Sequence, residues 1–467
     1  MQENNINREE TSNTSYPQEC EVLIIGAGVS GASTLYQLHK AGVKDMVILD
    51  AGQCGAGSSQ GKVSEDHAFI REDDIYQGRE FQHARKSGTA VLDKPTSRIK
   101  MMVNIYPCTS EYFMSHHGEQ GARRYLKLCY EGLQIQKQLA RMVFKSEELE
   151  ENLLEKGSLQ VGVEKDEEDV KEEFENLKKL GFVDIQLWGR DQVEKQLGKE
   201  SKFTIGLYYP HDAIINSQQY SANLVNYVLE QDKTTKLFEN CSQVTNVETI
   251  NEEYALTTLQ NGCKIKSKYV VLCTGGLFTN STTLCGIFTP CFSYLVSMKE
   301  PESINAQYHR LEHPNSMNYF TWGFTHDWCL TQGHIRLSGQ DHFSAFKPPR
   351  EDERCGILAK WIIQKFPYMK DSENKYQTKY GVYSETPDKA PLVGTVSPSS
   401  RICYVVGCNA QGQSSLTYCA TLVPGLLGYK KLDSDQKDIM KLVTIRRFAL
   451  LNDVLKSEKK GEKIHKS

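Results

Sequence analysis

The sequence predicts a mixed α/β chain, α+β in its connections, in which a parallel βαβ unit is interwoven with a second domain. Three observations predict it. The apolar run Glu21-Val-Leu-Ile-Ile25 ends in glycines, and a helix-forming stretch and a second apolar run at 46–49 follow it, the alternation of a buried parallel pair joined by a crossover helix. Between Leu237 and Gly276, β-type runs surround Asn261-Gly262, a hairpin signal. Finally, no internal repeat and no Pro/Gly/Ser-rich linker divides the 467 residues, a length that suits one large or two interleaved domains.

Taken in order, residues 1–18 are polar and read as a disordered arm. Helix formers run from Ala32 to Lys40 and stop at Gly42, and Met46 to Leu49 is the second strand. From Glu119 to Met142 the pattern is helical, with Tyr125, Leu128, Gly132, Ile135 and Leu139 on one side. Lys165 to Leu180 is a highly charged amphipathic helix carrying Val170, Phe174 and Leu177 at helical spacing, and its Glu/Lys load reads as a solvated face. Trp328 to Leu337 and Tyr404 to Val406 read as strands. Arg354 to Phe366 reads as a helix stopped by Pro367. Asp433 to Leu455 reads as a last helix before a lysine-rich tail, 456–467, diluted by Glu458 and Glu462.

Charge and composition exclude several classes. Fifty-five Lys and Arg against 59 Asp and Glu leave a net charge of −4, with no basic excess to neutralise phosphates, so a nucleic-acid partner is not expected. Mean hydropathy is −0.50, and no apolar run approaches the ~20 residues that span a bilayer. The fourteen cysteines form no CxxC pair, and Cys273 and Cys403 lie inside apolar runs. That spacing fits reduced, buried thiols, not a disulfide framework or a zinc site. The first residues lack the apolar core of a signal peptide and are acidic where a transit peptide is basic, so a cytoplasmic location is the expectation.

Gly26-Ala27-Gly28-Val29-Ser30-Gly31 matches G-x-G-x-x-G between a strand and a helix. The first glycine permits a tight turn, the second lets the backbone approach a pyrophosphate, and the third allows close helix–strand packing. The helix N-terminus then presents free N–H groups and a positive dipole end to the phosphates. Asp50 closes the second strand, where an acid accepts hydrogen bonds from the ribose hydroxyls. The small-residue loop from Ala51 through Gly61 and the strand Tyr269-Val-Val-Leu-Cys-Thr274-Gly275-Gly276 offer two further close-approach points for an extended cofactor.

Together with Gly206-Leu-Tyr-Tyr-Pro-His-Asp212 and Asn216, Thr386-Pro-Asp-Lys-Ala-Pro391-Leu-Val-Gly394 and Gly407-Cys-Asn-Ala-Gln-Gly412, these pieces make the chain resemble the D-amino-acid-oxidase-like superfamily of FAD-dependent oxidoreductases, which includes sarcosine oxidases and glycine oxidase. The resemblance runs from about Glu21 to Gly428. It implies a Rossmann-like FAD-binding domain (19–92, 206–290 and 378–432) interwoven with a substrate domain built on an antiparallel-rich sheet (93–205 and 291–377), with 433–467 as a terminal helix and tail. By the same resemblance Gly26, Ala27, Gly28, Val29, Ser30 and Gly31 hold the pyrophosphate, and Asp50 with Ala51 holds the ribose. Ser58, Ser59, Gln60 and Gly61 line the path toward the isoalloxazine, and Val244 meets adenine. Thr274 and Gly275 close over the phosphates, while Gly407, Asn409, Ala410, Gln411, Gly412 and Gln413 lie along the pyrimidine edge of the flavin. Backbone donors there favour hydride acceptance, because negative charge grows at that edge on reduction.

In such a family the flavin takes a hydride from the carbon of a C–N bond and water hydrolyses the imine, so an acid or base is not obligatory. Three positions depart from the family pattern. Gly381 stands where sarcosine oxidases carry the cysteine that tethers FAD, which implies non-covalent FAD. Ser414 stands where a lysine is common near the flavin. Tyr383 stands where oxidases of simple α-amino acids place an arginine for the substrate carboxylate, which moves the expected substrate toward secondary and N-methyl amines. In the stretch from Trp322 to His342, Arg336 is the candidate bidentate partner of a substrate carboxylate, although an arginine in a β-hairpin is more often a cross-strand or surface partner. Tyr383 is the candidate cap of the pocket. His326, His334 and His342 recur every eight residues, but no cysteine or carboxylate spacing supports a metal site. His116-His117 read the same way. The expected activity is therefore FAD-dependent oxidation of a small-molecule amine or amino acid. A weakly active scaffold subunit with an unidentified protein partner, or an NAD-dependent dehydrogenase, is the competing reading.

Overall fold

A computed structural model describes residues 15–55, 99–102, 108–182, 184–241, 243–276, 287–301, 317–323, 326–331, 333–343, 351–372 and 376–448. Ser58, Ser59, Gln60 and Gly61, the first fourteen residues and the lysine-rich tail lie outside them.

The first sheet has the strand order 244–249, 255–259, 264–272, 19–25, 46–49, 236–238. Strand Glu19–Ile25 is parallel to Lys264–Leu272 on one side and to Met46–Leu49 on the other. One edge of strand 264–272 is shared: its first half pairs with strand Ala255–Leu259 and its last three residues with strand Ile402–Val406, which in turn pairs with strand Leu392–Thr395. The continuous apolar run 22–25 follows from burial on both faces. Val22 and Ile24 pack under the helices Val29–Lys40, Ser217–Gln231 and Gly412–Leu426, whereas Leu23 and Ile25 enter a second core with Val47, Leu49 and Val270. Asn261-Gly262 closes a hairpin. The N–H of Gly262 donates to the Leu259 carbonyl, and Gly262 takes φ +85°, which only a residue without a side chain adopts freely.

The second sheet runs 376–385, 289–299, 334–343, 327–331, 318–321, 158–162, 205–209, 186–188. Every pairing is antiparallel except that of Asn318–Thr321 with Ser158–Gly162. On one face Ile335, Leu337, Val296, Met298 and Trp328 bury against Leu358 and Ile362 of the helix Glu351–Lys365.

Several sequence expectations need correction. The stretch 328–337 is two strands, Asp327–Thr331 and His334–Phe343, reversed at Gly333 with φ +70°. The helix expected from Glu119 starts at Ser110 and kinks at Gly118. Its true start is stabilised from far away, because the Glu173 carboxylate accepts the Ser110 N–H and hydroxyl. The last helix ends at Val443. The arm is docked by residue 16, where the Tyr16 ring packs 5.2 Å from that of Phe238. The domain boundaries at 206 and 378 fall inside strands of the second sheet, Ile205–Tyr209 and Tyr376–Glu385. Both strands continue the hydrogen bonding of that sheet, which local patterning does not reveal.

Candidate functional site

Strands 19–25, 46–49, 264–272 and 402–406 are parallel and end together: Ile25 lies beside Leu49 and Leu272, and Leu272 beside Tyr404. The loops that leave these ends, 26–31, 50–55, 273–276 and 407–411, therefore share one edge, the place where open α/β sheets take their ligands. Gly26, Ala27, Asp50, Ala51, Thr274, Gly275 and Gly407 all sit there. Val244 begins a strand nearby, with the Cys241 N–H donating to the Asp50 carbonyl.

The three motif glycines differ in what surrounds them. A β-carbon on Gly31 would lie 1.8 Å from the Gly26 carbonyl oxygen, and one on Gly26 2.4 Å from that of Cys273, so the close packing of helix on turn and of turn on the neighbouring strand end requires both. Among the described residues, no atom beyond the adjoining chain lies within 4 Å of that position around Gly28, nor around Gly275. A glycine that the fold does not need, at a helix N-terminus, leaves room for a ligand to approach the backbone. That fits the pyrophosphate of a dinucleotide such as FAD.

Asp50 is partly committed within the protein. Its Oδ2 accepts the Ala27 N–H at 2.7 Å and its Oδ1 the Gly52 N–H at 2.8 Å. These bonds fasten the second strand to the glycine turn. Cys54 continues the fastening, with its Sγ donating to the Ala27 carbonyl.

Loop 407–411 is held in an uncommon backbone. Asn409 and Ala410 take φ +47° and +66°, successive left-handed conformations in residues that bear a β-carbon. The Asn409 side chain, expected to line the flavin, is occupied within the protein: its Oδ1 accepts the Thr386 N–H at 2.8 Å, and its Nδ2 donates to the Gly407 carbonyl. Ser384 accepts the Gly407 N–H at its hydroxyl and the Asn409 N–H at its carbonyl. Gln413 accepts from Gln136 of the helix 110–143 at 2.8 Å. Ser414 is fully buried where that helix crosses, its carbonyl pressed against Gly132. Among the described residues Gln411 keeps a buried Oε1 without a hydrogen-bond partner, and the backbone of Gly412 passes too close to Cys408 for a side chain.

The second sheet contributes Arg336 and Tyr383. Both lie on the face opposite the helix 351–365, because Arg336 alternates with Ile335 and Leu337, and Tyr383 pairs with Cys291. Arg336 is 3% exposed, and among the described residues its Nε, Nη1 and Nη2 have no hydrogen-bond partner. Burial pulls its pKa down from the ordinary guanidinium value. Its backbone neighbour on the next strand is Ser297, whereas that of Tyr383 is Cys291. Six residues of strand, roughly 20 Å, therefore separate two residues expected to act on one small substrate. The structure does not set them side by side.

Tyr383 instead donates its hydroxyl hydrogen to Asp341 Oδ2 at 2.9 Å. Burial pushes the Asp341 carboxyl up, against the pull of hydrogen bonds from Ser293 and Tyr383, and burial beside Asp341 pushes the Tyr383 phenol far above its usual value. Among the described residues Asp341 Oδ1 is buried and without a hydrogen-bond partner. Sequence reasoning passed over Asp341. A backbone irregularity, Gly339 at φ +147° and Gln340 at φ +54°, turns it onto the Arg336 face, and nothing local announces that.

The three histidines do not converge. His326 is buried, and that burial lowers its pKa to about 4, while His342 Nδ1 lies 2.9 Å from Arg354 Nη2. Among the described residues no group of three His, Cys, Asp or Glu side chains is arranged to hold a metal ion, and no helix is long and apolar enough to cross a membrane.

Residues 21–423 match the family model described as "DAO: FAD dependent oxidoreductase". Among solved structures, the chain resembles glycine oxidase from Geobacillus kaustophilus (14% identity, TM-score 0.67, covering 93% of this chain and all of that one). It also resembles L-proline dehydrogenase from P. horikoshii (15%, 0.60, 96% and 100%) and a modified fructosyl peptide oxidase from Aspergillus nidulans (14%, 0.63, 91% and 93%). At such identities these likenesses concern the fold.

Proposed function

Since the chain belongs to the DAO family of FAD-dependent oxidoreductases, we propose that it oxidises the C–N bond of a small amine or amino acid, with secondary and N-methyl amines preferred. The observation that carries the preference is the hydrogen bond from Tyr383 to Asp341. Where the resemblance puts a carboxylate-binding arginine in oxidases of simple α-amino acids, this chain has a phenol engaged with an acid. That pair offers no cation to a carboxylate, and its oxygens suit a nitrogen that carries hydrogen.

The bound flavin supplies the hydride acceptor. The chain's own residues bind and orient. Gly28 and the N-terminus of the helix 29–40 receive the pyrophosphate, Asp50 the ribose, and the backbone of 407–412 lies along the flavin. Arg336, apart from the Tyr383–Asp341 pair, receives an anionic group of a ligand, since burying its charge without a partner costs several kcal/mol. FAD is held non-covalently, as Gly381 offers no thiol.

Anaerobic mixing with N-methyl and secondary amino acids is expected to bleach the flavin band, with glycine and D-alanine slower. Faster bleaching by glycine or D-alanine would overturn the preference, and bound FAD that no amine reduces would overturn the reaction. Acid precipitation is expected to release all the flavin; colour kept by the pellet would contradict non-covalent binding.

A further inference from the structure

Arg447 lies in a 3-10 turn near the end of the described chain, distant in sequence from every motif discussed above. Its guanidinium grips Asp388 with a fork, Nε to Oδ2 at 2.6 Å and Nη2 to Oδ1 at 2.8 Å. The remaining donors reach three carbonyls: Ala390 at 2.7 Å, Pro391 at 3.0 Å and Thr444 at 3.3 Å. All five N–H groups are used, a commitment far beyond a surface ion pair. Burial opposes the charge on Asp388, yet the Arg447 fork holds its carboxyl below the ordinary value.

The grip continues inward. The Ala390 carbonyl also accepts from the Thr386 hydroxyl, 2.9 Å away, and that hydroxyl lies 3.1 Å from Asn409 Oδ1, its one hydrogen serving either oxygen. The Thr386 N–H donates to the same Asn409 oxygen. Asn409 and Ala410 are the two residues held at positive φ. From the other side, His117 Nε2 lies 2.6 Å from the Asp388 carbonyl oxygen. An unbroken chain of hydrogen bonds thus runs from Arg447 through Ala390 and Thr386 to the strained loop. Such backbone persists only where surrounding bonds over-determine it.

We propose that Arg447 is a positioning residue for the flavin site, holding the Thr386–Pro391 turn so that Asn409 and Ala410 stay in the left-handed backbone that shapes the loop for the cofactor. The inference rests on the placement of FAD along 407–413, and it is independent of which amine is oxidised.

The test is a titration of FAD into cofactor-stripped full-length protein, read by flavin fluorescence and the visible spectrum, with no amine present. A failure of the amine reading therefore leaves it standing. Arg447→Lys keeps the charge but loses the fork, and is expected to weaken FAD binding about tenfold and shift the flavin band. Thr386→Val breaks the chain at its middle without touching the Arg447–Asp388 pair, and is expected to act in the same direction. Ala410→Gly, which adopts positive φ without strain, is expected to restore most of the affinity in either background. Unchanged FAD affinity in both single variants would overturn the proposal. So would a loss that Ala410→Gly fails to relieve, since that marks a general effect on folding and not on loop geometry.

Discussion

A β-carbon on Gly276 would lie 2.7 Å from both the carbonyl carbon and the carbonyl oxygen of Tyr383. The last turn of the first sheet and the end of a strand of the second thus meet backbone against backbone, and there the proposed cofactor edge reaches the proposed substrate face. Gly276→Ala is expected to destabilise the protein by about 1–3 kcal/mol, the cost of overpacking where the neighbour is main chain and cannot turn aside. Denaturant unfolding measures it, and unaltered stability would show that the sheets separate without cost.

Gly28 and Gly31 should respond oppositely to the same substitution. Gly31→Ala drives a methyl into the Gly26 carbonyl and should lower the melting temperature of cofactor-free protein. Gly28→Ala meets no atom of the described residues beyond its own stretch of chain within 4 Å, so the cofactor-free protein should melt as wild type does while FAD binding weakens at least about tenfold. Equal loss of stability in both variants would mean that Gly28 serves the fold.

Arg336→Met exchanges a buried, unpartnered charge for an apolar chain of similar length. Such exchanges leave stability unchanged or raise it by about 1–4 kcal/mol. The ligand-free variant should therefore melt at or above the wild-type temperature. Carboxylate-bearing ligands that stabilise the wild type should no longer do so. A marked drop in melting temperature without ligand would show that the guanidinium is already satisfied inside the protein.

The Asp341–Tyr383 pair gives a signed pH dependence. The folded carboxyl titrates above the ordinary value of 3.8, so between that value and its folded pKa the native state holds the extra proton. Stability must then fall as pH rises through this window. Tyr383→Phe removes one of the donors that favour the charged form, so it should push the folded pKa further up and extend the falling region to higher pH. Melting temperatures of both proteins across pH 4 to 8 test this; an extension toward lower pH would contradict the assignment.

Much of the dinucleotide half was legible along the chain. The run 22–25, the three glycines and Asp50 lie within thirty residues of one another, and each carries a local physical signature: two-sided burial, close approach, a strand-ending acid. The substrate half was less so. Tyr383 and Arg336 could be named as chemical types, but their roughly 20 Å separation follows from the register of strand 289–299 between its neighbours. Asp341 reaches the same face as Arg336 only through the irregularity at Gly339 and Gln340. Asn409, expected to line the cofactor, spends its amide on Thr386 and Gly407.

By itself, then, the sequence determined the βαβ unit, the glycine turn and the family, because backbone sterics and apolar periodicity act over a few residues and are written there. Tertiary structure alone decided which polar side chains meet. Tyr383 finds Asp341, Asn409 finds Thr386 and Arg447 finds Asp388, because such pairs depend on strand register and chain closure across tens of residues, where a hydrogen bond has no periodicity to announce it.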